Sequence, residues 1–188
     1  MKQNEYFEDV STLLLSQAGG LIPIIETLYE CISRRSNIWI IGNGGSASTA
    51  DHFEVDLSFV RINDNSMEVR AKSLCSNNAV ITAIGNDIGF EKIFAHQLMR
   101  QASKEDVCFM ISASGNSQNL VQAMEVCKQK SVTTIAILGF DGGQLKSQAD
   151  FVFLVESKLG LYGQVEDVHL SVCHFLAAEL KKRIFVGA

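Results

Sequence analysis

Five short apolar runs, each set off from the next by a stretch long enough for a helix, constrain this chain more than any other feature. They fall at 37–41, Asn37-Ile38-Trp39-Ile40-Ile41, and at roughly 69–74, 106–112, 133–138 and 151–155. Most are rich in β-branched and aromatic residues on both faces, the pattern of strands covered by helices on either side. The expected fold class is α/β, a three-layer α/β/α sandwich around a five-stranded parallel sheet. Residues 4–34 carry apolar positions at helical spacing instead: Phe7, Val10, Leu13 and Leu14, then Leu21, Ile24, Ile25 and Leu28. Gly19-Gly20 and Pro23 are expected to break that stretch into two helices. A final helix is expected near 163–183. No linker, biased tract or repeat interrupts the 188 residues, which read as a single domain with an N-terminal helical segment at 1–35 and an α/β core at 36–188.

Composition removes several function classes. With 16 Lys+Arg against 21 Asp+Glu the net charge is −5, which argues against a basic nucleic-acid surface, and 47% apolar residues argue against disorder. Cys31, Cys75, Cys108, Cys127 and Cys173 are scattered and mostly inside apolar runs, so they read as buried thiols of a reducing compartment. No CxxC pair is present, which excludes a cysteine zinc site. The N-terminus carries Glu5, Glu8 and Asp9 without a signal-peptide core, and no run approaches the ~18 apolar residues of a membrane span. A cytoplasmic protein without membrane or nucleic-acid partners is expected.

Fourteen glycines against one proline direct attention to glycine turns. The first strand runs into Gly42-Asn43-Gly44-Gly45-Ser46 and then a helix containing His52 and Asp56. A glycine turn opening a helix suits an anion, through free N–H groups and the helix dipole. The dinucleotide spacing fails at its third glycine and no P-loop lysine follows, so no nucleotide cofactor is expected. Alone, this loop could equally be a tight turn. The third strand, however, ends in Ser112-Ala113-Ser114-Gly115-Asn116-Ser117, with more hydroxyls than one helix cap needs. In a 2-1-3-4-5 sheet these two loops flank the switch point where ligands bind, which favours a small phosphorylated ligand. A third turn, Gly139-Phe140-Asp141-Gly142-Gly143, reads as structural because its acid would repel phosphate.

The paired loops, Gly85-Asn86-Asp87-Ile88-Gly89-Phe90, the Gly139–Gly143 turn and a final helix bearing Glu166 and His174 resemble the sugar isomerase (SIS) domain family, along nearly the whole chain. The serine loop resembles SIS domains generally. His52 after the first loop, with Gly85-Asn86-Asp87, is similar to the phosphoheptose isomerase branch. The resemblance implies an aldose–ketose isomerase converting sedoheptulose 7-phosphate to D-glycero-D-manno-heptose 7-phosphate through an enediolate. It implies Asp56 and His174 as the acid–base pair, and a substrate site drawn from Asn43, Gly44, Gly45, Ser46, Asp87, Ser112, Ala113, Ser114, Ser117 and Glu166. It also implies a homotetramer, and zinc in some members, held here by His52, Asp56, Glu166 and His174. The alternative is a non-catalytic SIS module that binds a sugar phosphate or a protein partner.

The bland readings stand beside these. His52-x-x-x-Asp56 can be a surface pair, His174 in Val172-Cys173-His174-Phe175-Leu176 a core histidine, and Asp87 an ordinary cap. His96 reads as structural, and His169, three residues after Glu166, lies outside the family's usual ligands. Three positions depart from the family pattern: Asp56 where a glutamate is expected, Glu166 for glutamine, and Ala113 for threonine. The missing methylene at Asp56 retracts its carboxylate by about 1 Å, an error that can cost about 100-fold in rate, and Glu166 offers a second carboxylate to compensate.

Overall fold

A computed structural model describes residues 3–60 and 69–186. Five parallel strands, β1 (Asn37–Gly42), β2 (Arg70–Ser73), β3 (Val107–Ser112), β4 (Thr133–Phe140) and β5 (Phe151–Glu156), lie in the order β2-β1-β3-β4-β5. Each expected run is a strand. β1 pairs with β3 through Ile38 opposite Val107 and Ile41 opposite Met110, and β3 is buried at every position. The edge strand β2 is short and partly exposed, consistent with Arg70 and Lys72 within it.

Helices α1 (Gln3–Gln17) and α2 (Ile22–Ser33) are separated by a 3-10 turn at Ala18–Leu21, where the Gly19-Gly20 pair interrupts the first helix and Pro23 sits in the opening turn of the second. After β1 comes α3 (Gly45–Ser58); α4 (Asn78–Asp87) and α5 (Ala95–Gln101) join β2 to β3; α6 (Gln118–Lys130) joins β3 to β4; α7 (Gly143–Lys146) joins β4 to β5; and α8 (Tyr162–Val186) ends the chain. Right-handed crossovers that run outward in both directions from the β1/β3 centre place α3 on one face of the sheet and α5 and α6 on the other. α8 packs against α3, α2 and α1, completing the first layer.

The core is continuous under both layers, with the Phe53 and Phe109 rings 5.0 Å apart where α3 meets β3. At the opposite end of the sheet from the glycine loops, the buried Asp106 carboxylate accepts from Asn37 N (2.8 Å), Trp39 Nε1 (2.9 Å) and Ser103 N (2.9 Å). It ties β1 to the segment before β3. All five cysteines are free and buried, and burial beside Asp106 pushes the Cys31 thiol up to about 12. Among the described residues no helix is long and apolar enough to cross a membrane.

Candidate active site

The C-terminal ends of β1 and β3 sit side by side at the strand-order reversal, so their loops meet. Asn43 and Asn119 join them by a reciprocal amide pair, each Nδ2 donating to the other's Oδ1 at 2.8 Å. Beside this bridge lies a cavity of about 220 Å³ lined by Asn43, Ser46, Ser112, Ala113, Ser114, Ser117, Tyr162 and Glu166, with Ile111 at its floor. Seven of the expected substrate positions therefore converge. They come from the two loops and from α8, far apart in the chain.

The serine loop is shaped for a ligand rich in acceptors. Ser112 Oγ accepts from Gly115 N at 3.0 Å and Ser114 Oγ from Asn116 N at 3.3 Å. Each hydroxyl that accepts from the loop keeps its own proton to donate outward. Ser117 opens α6 without capping it through its side chain, so it too faces the cavity. The third glycine turn is structural, as expected, and its role is specific: it buttresses this loop. Leu145 N donates to Gly115 O (3.1 Å) and Gln144 N to Asn116 Oδ1 (3.0 Å), while Asp141 Oδ1 accepts from Gly143 N (3.0 Å). Gly115 has φ +62, and a Cβ there would lie 2.6 Å from the Gly142 carbonyl carbon, so only glycine lets the two turns meet.

The first loop holds something the sequence reading did not assign to it. The Glu166 carboxylate lies so close to Gly45 that a Cβ on that glycine would be 2.5 Å from Cδ. Gly45 is the first residue of α3, so a negative side chain already sits at the helix N-terminus that was expected to cradle phosphate.

About two and three turns along α3, His52 and Asp56 face α8, and His174 reaches them from it. His174 Nε2 is 3.0 Å from His52 Nε2, and Asp56 Oδ1 and Oδ2 lie 3.5 Å and 3.7 Å from the two imidazoles. The three donor atoms all lie within 4.8 Å of one another. Asp51 and Glu54, on the neighbouring face, turn away to β2, where Asp51 accepts from Ser73 Oγ (2.6 Å) and Glu54 from Ser73 N (2.7 Å). The surface-pair reading of His52 and Asp56, and the core reading of His174, thus give way to a cluster. Glu166 is outside it: the eight-residue separation from His174 that spans ~12 Å of helix is not bridged.

Two histidines and one acid lie outside the cavity lining. His169 is buried on α8 with neither ring nitrogen in a well-formed hydrogen bond, and burial lowers its pKa to about 4, a weak polar contact with the Leu138 backbone opposing this only in part. His96 sits half-buried on α5. Asp87 does not line this cavity: Gly85-Asn86-Asp87 forms the last turn of α4, where its Oδ1 accepts from Asn86 Nδ2 at 2.8 Å. The chain reverses two residues later, at Gly89.

Tyr162 and Asn119 were missed by the sequence reading. Tyr162 lies one turn before Glu166 on α8, so the i, i+4 spacing could have revealed it. Its ring stands edge-on to Phe140, centroids 4.9 Å apart at 89°. Phe140 is buried with φ +53, a left-handed conformation unusual for a bulky residue, held where β4 enters the buttressing turn.

Comparison with known proteins agrees with this arrangement. The SIS domain family model matches residues 5–139. A phosphoheptose isomerase from Citrifermentans bemidjiense is 34% identical over 172 residues, 89% of this chain and 88% of that protein, and one from Trichlorobacter lovleyi is 37% identical over 163 residues, 86% and 81%. The structure of phosphoheptose isomerase from Neisseria gonorrhoeae superposes with a TM-score of 0.86 at 25% identity, covering 95% of this chain and 96% of that one. That of a phosphoheptose isomerase from Francisella tularensis gives 0.83 at 28% identity, covering 96% and 97%. Shared sequence along most of the chain, the 2-1-3-4-5 sheet and the serine loop at its switch point place this protein in the SIS domain family, in its phosphoheptose isomerase branch.

Proposed function

We propose that the chain is an aldose–ketose isomerase that interconverts sedoheptulose 7-phosphate and D-glycero-D-manno-heptose 7-phosphate. The observation that carries this reading is the placement of a carboxylate, Glu166, in the same cavity as the hydroxyls of Ser112, Ser114 and Ser117, with the His52/Asp56/His174 cluster alongside on the same two helices. A module that only bound sugar phosphate would need the serines and not the acid–base groups.

In this reading the phosphate rests on the serine loop and the N-terminus of α6, where hydroxyl protons and free N–H groups complement its charge. Moving the carbonyl between C2 and C1 requires a base that takes a carbon-bound proton and returns it to the neighbouring carbon, and groups that hold the enediolate oxygens. The site offers two carboxylates, Asp56 and Glu166. Asn43, fixed by its pairing with Asn119, is placed to orient a substrate hydroxyl.

The cluster fits a zinc ion. Two imidazole nitrogens and a carboxylate oxygen are a zinc donor set, and Asp56 Oδ2 is a buried oxygen with no hydrogen-bond partner. His52, Asp56 and His174 would hold the ion, which when bound supplies Lewis acidity toward substrate oxygens. Assembly into a homotetramer is part of the same proposal, supported by the exposed apolar residues Phe59, just past the end of α3, and Phe175 on α8, close in sequence to the cluster.

The test is isotope exchange. Sedoheptulose 7-phosphate incubated with the protein in deuterated water should gain deuterium at C1 and yield the aldose. Neither outcome with correctly folded, zinc-supplied protein would reject the isomerase.

A further inference from the structure

We propose that the Tyr162 hydroxyl is a phosphate-binding group, a donor on α8 that completes from the opposite wall the seat begun by the serine loop. This rests on the reading above that the serine loop holds the substrate phosphate.

The cavity leaves a phosphate short of partners. Ser112, Ser114 and Ser117 supply hydroxyl protons from one loop, but Ala113 between the first two has no side-chain donor. Among the described residues that line the cavity there is no lysine or arginine, and Glu166 adds a carboxylate. A phosphate held without a cation depends on how many neutral donors are aimed at it, and a hydrogen bond to a charged group is stronger than one between neutral groups.

Donors outside the loop are few. Asn43 is paired with Asn119, and Ser46 lies in the first turn of α3, the helix end that the Glu166 carboxylate already occupies. Tyr162 differs from both. It lines the same cavity, its side chain is half exposed, and no hydrogen bond to another described residue engages its hydroxyl. It is the first residue of α8, and the other cavity residue on that helix is Glu166, four positions on. Without the phenol, the α8 wall would present only negative charge to the phosphate.

The ring is mounted on the structure that carries the serine loop. It stands edge-on to Phe140, the last residue of β4, with centroids 4.9 Å apart. Such a contact restrains where the ring can swing. Gly139, immediately before Phe140, donates its N–H to Ala113 O at 3.1 Å, so β4 meets the loop at the one position between two serines that lacks a hydroxyl. Phe140 N in turn donates to Ser157 Oγ at 3.3 Å, on the segment that leads into Tyr162. The buried Phe140 keeps φ +53, a costly conformation for a bulky residue, and these contacts hold it there. A continuous path from Ala113 through Gly139 and Phe140 to Tyr162 therefore fixes the phenol relative to the loop serines.

The experiment uses Tyr162→Phe, which removes the hydroxyl and keeps the ring on Phe140, with Ser114→Ala as the reference for the loop. Zinc-supplied full-length protein is read three ways: affinity for inorganic phosphate by phosphorus NMR titration, KM and kcat for sedoheptulose 7-phosphate, and zinc per chain. Tyr162→Phe should bind phosphate about 10–100-fold more weakly, with zinc unchanged. In isomerisation the larger part of the change should fall in KM rather than kcat, as for loss of a contact made equally to substrate and transition state. A ring with a merely structural role would leave all three readouts unmoved in Tyr162→Phe.

The proposal is overturned if Tyr162→Phe keeps the parent's affinity for inorganic phosphate while Ser114→Ala loses it. It is also overturned if Tyr162→Phe weakens binding of the sugar phosphate and not of inorganic phosphate, which would assign the hydroxyl to the sugar. Phosphate affinity that is unchanged in both variants, or absent in the parent, would reject the serine loop as the phosphate seat and this proposal with it. A parent protein that binds phosphate but does not isomerise would reject the isomerase alone, and the titration would still decide the role of Tyr162.

Discussion

The Nε2 atoms of His52 and His174 lie 3.0 Å apart although the residues are separated by 122 positions in the chain. Two imidazole nitrogens at that distance need something between them: a shared proton or a cation, since two protonated rings would repel. The Asp56 oxygens beside both rings add the negative charge that favours a cation.

Zinc content is accordingly the first expectation. Protein purified without chelator and analysed by atomic emission should carry about one zinc per chain. His52→Ala or His174→Ala should weaken zinc binding by at least about 100-fold, the upper end of what loss of a supporting partner costs. A metal-free parent protein that does not take up added zinc would contradict this.

Replacing Gly45 by alanine pushes the Glu166 carboxylate off the start of α3. The colliding atoms are the end of a flexible side chain, so the fold should survive, with a melting temperature close to that of the parent. Misplacement of a reacting group by about 1 Å costs about 100-fold, and kcat should fall by that order. Unchanged kcat in Gly45→Ala would show that the position of the Glu166 carboxylate at the start of α3 has no part in the reaction.

Asp106 has a purely structural task at the other end of the sheet. Asp106→Ala would leave the Asn37 and Ser103 N–H groups and the Trp39 indole N–H without their acceptor. A loss of about 1–3 kcal/mol is expected from urea titration, because that is the cost of a buried donor left unsatisfied, here the Trp39 indole N–H. The isomerase site, on the far side of the sheet, should be unaffected in the fraction that remains folded.

His169 gives the fold a dependence on acid. Its pKa is lowered by burial from 6.5 to about 4, so between those values the unfolded chain binds a proton that the folded chain does not. Stability contributed by the neutral ring is therefore complete above about pH 6.5 and is lost as pH falls toward 4, by about 3 kcal/mol in all. Because neither ring nitrogen makes a well-formed hydrogen bond, His169→Leu should fold and should flatten this part of the stability profile. A profile of unchanged slope would mean that other groups govern the acid transition.

Much of this architecture is legible in the residues themselves. Apolar runs bounded by glycine and serine located all five strands, and the paired loops located the cavity, because strand burial and turn geometry are local properties. His52 and Asp56 could be put on one helix face by their spacing alone. The turn expected at Gly85-Asn86-Asp87 fell later for a local reason: the helix had one more turn to run, and Gly89 made the reversal instead. Tyr162 was overlooked because its partner, Phe140, lies on another element.

The sequence alone determined the sheet, its two loops and the residue types available for chemistry. Only the tertiary structure decided how those residues are grouped. The packing of α8 alongside α3 sends His174 to His52 and Asp56, and sends Glu166 to Gly45. No spacing rule reaches across 122 residues. That grouping depends on how two helices from opposite ends of the chain settle on one face of a sheet, driven by burial of apolar surface that carries no record of which polar groups it will bring together.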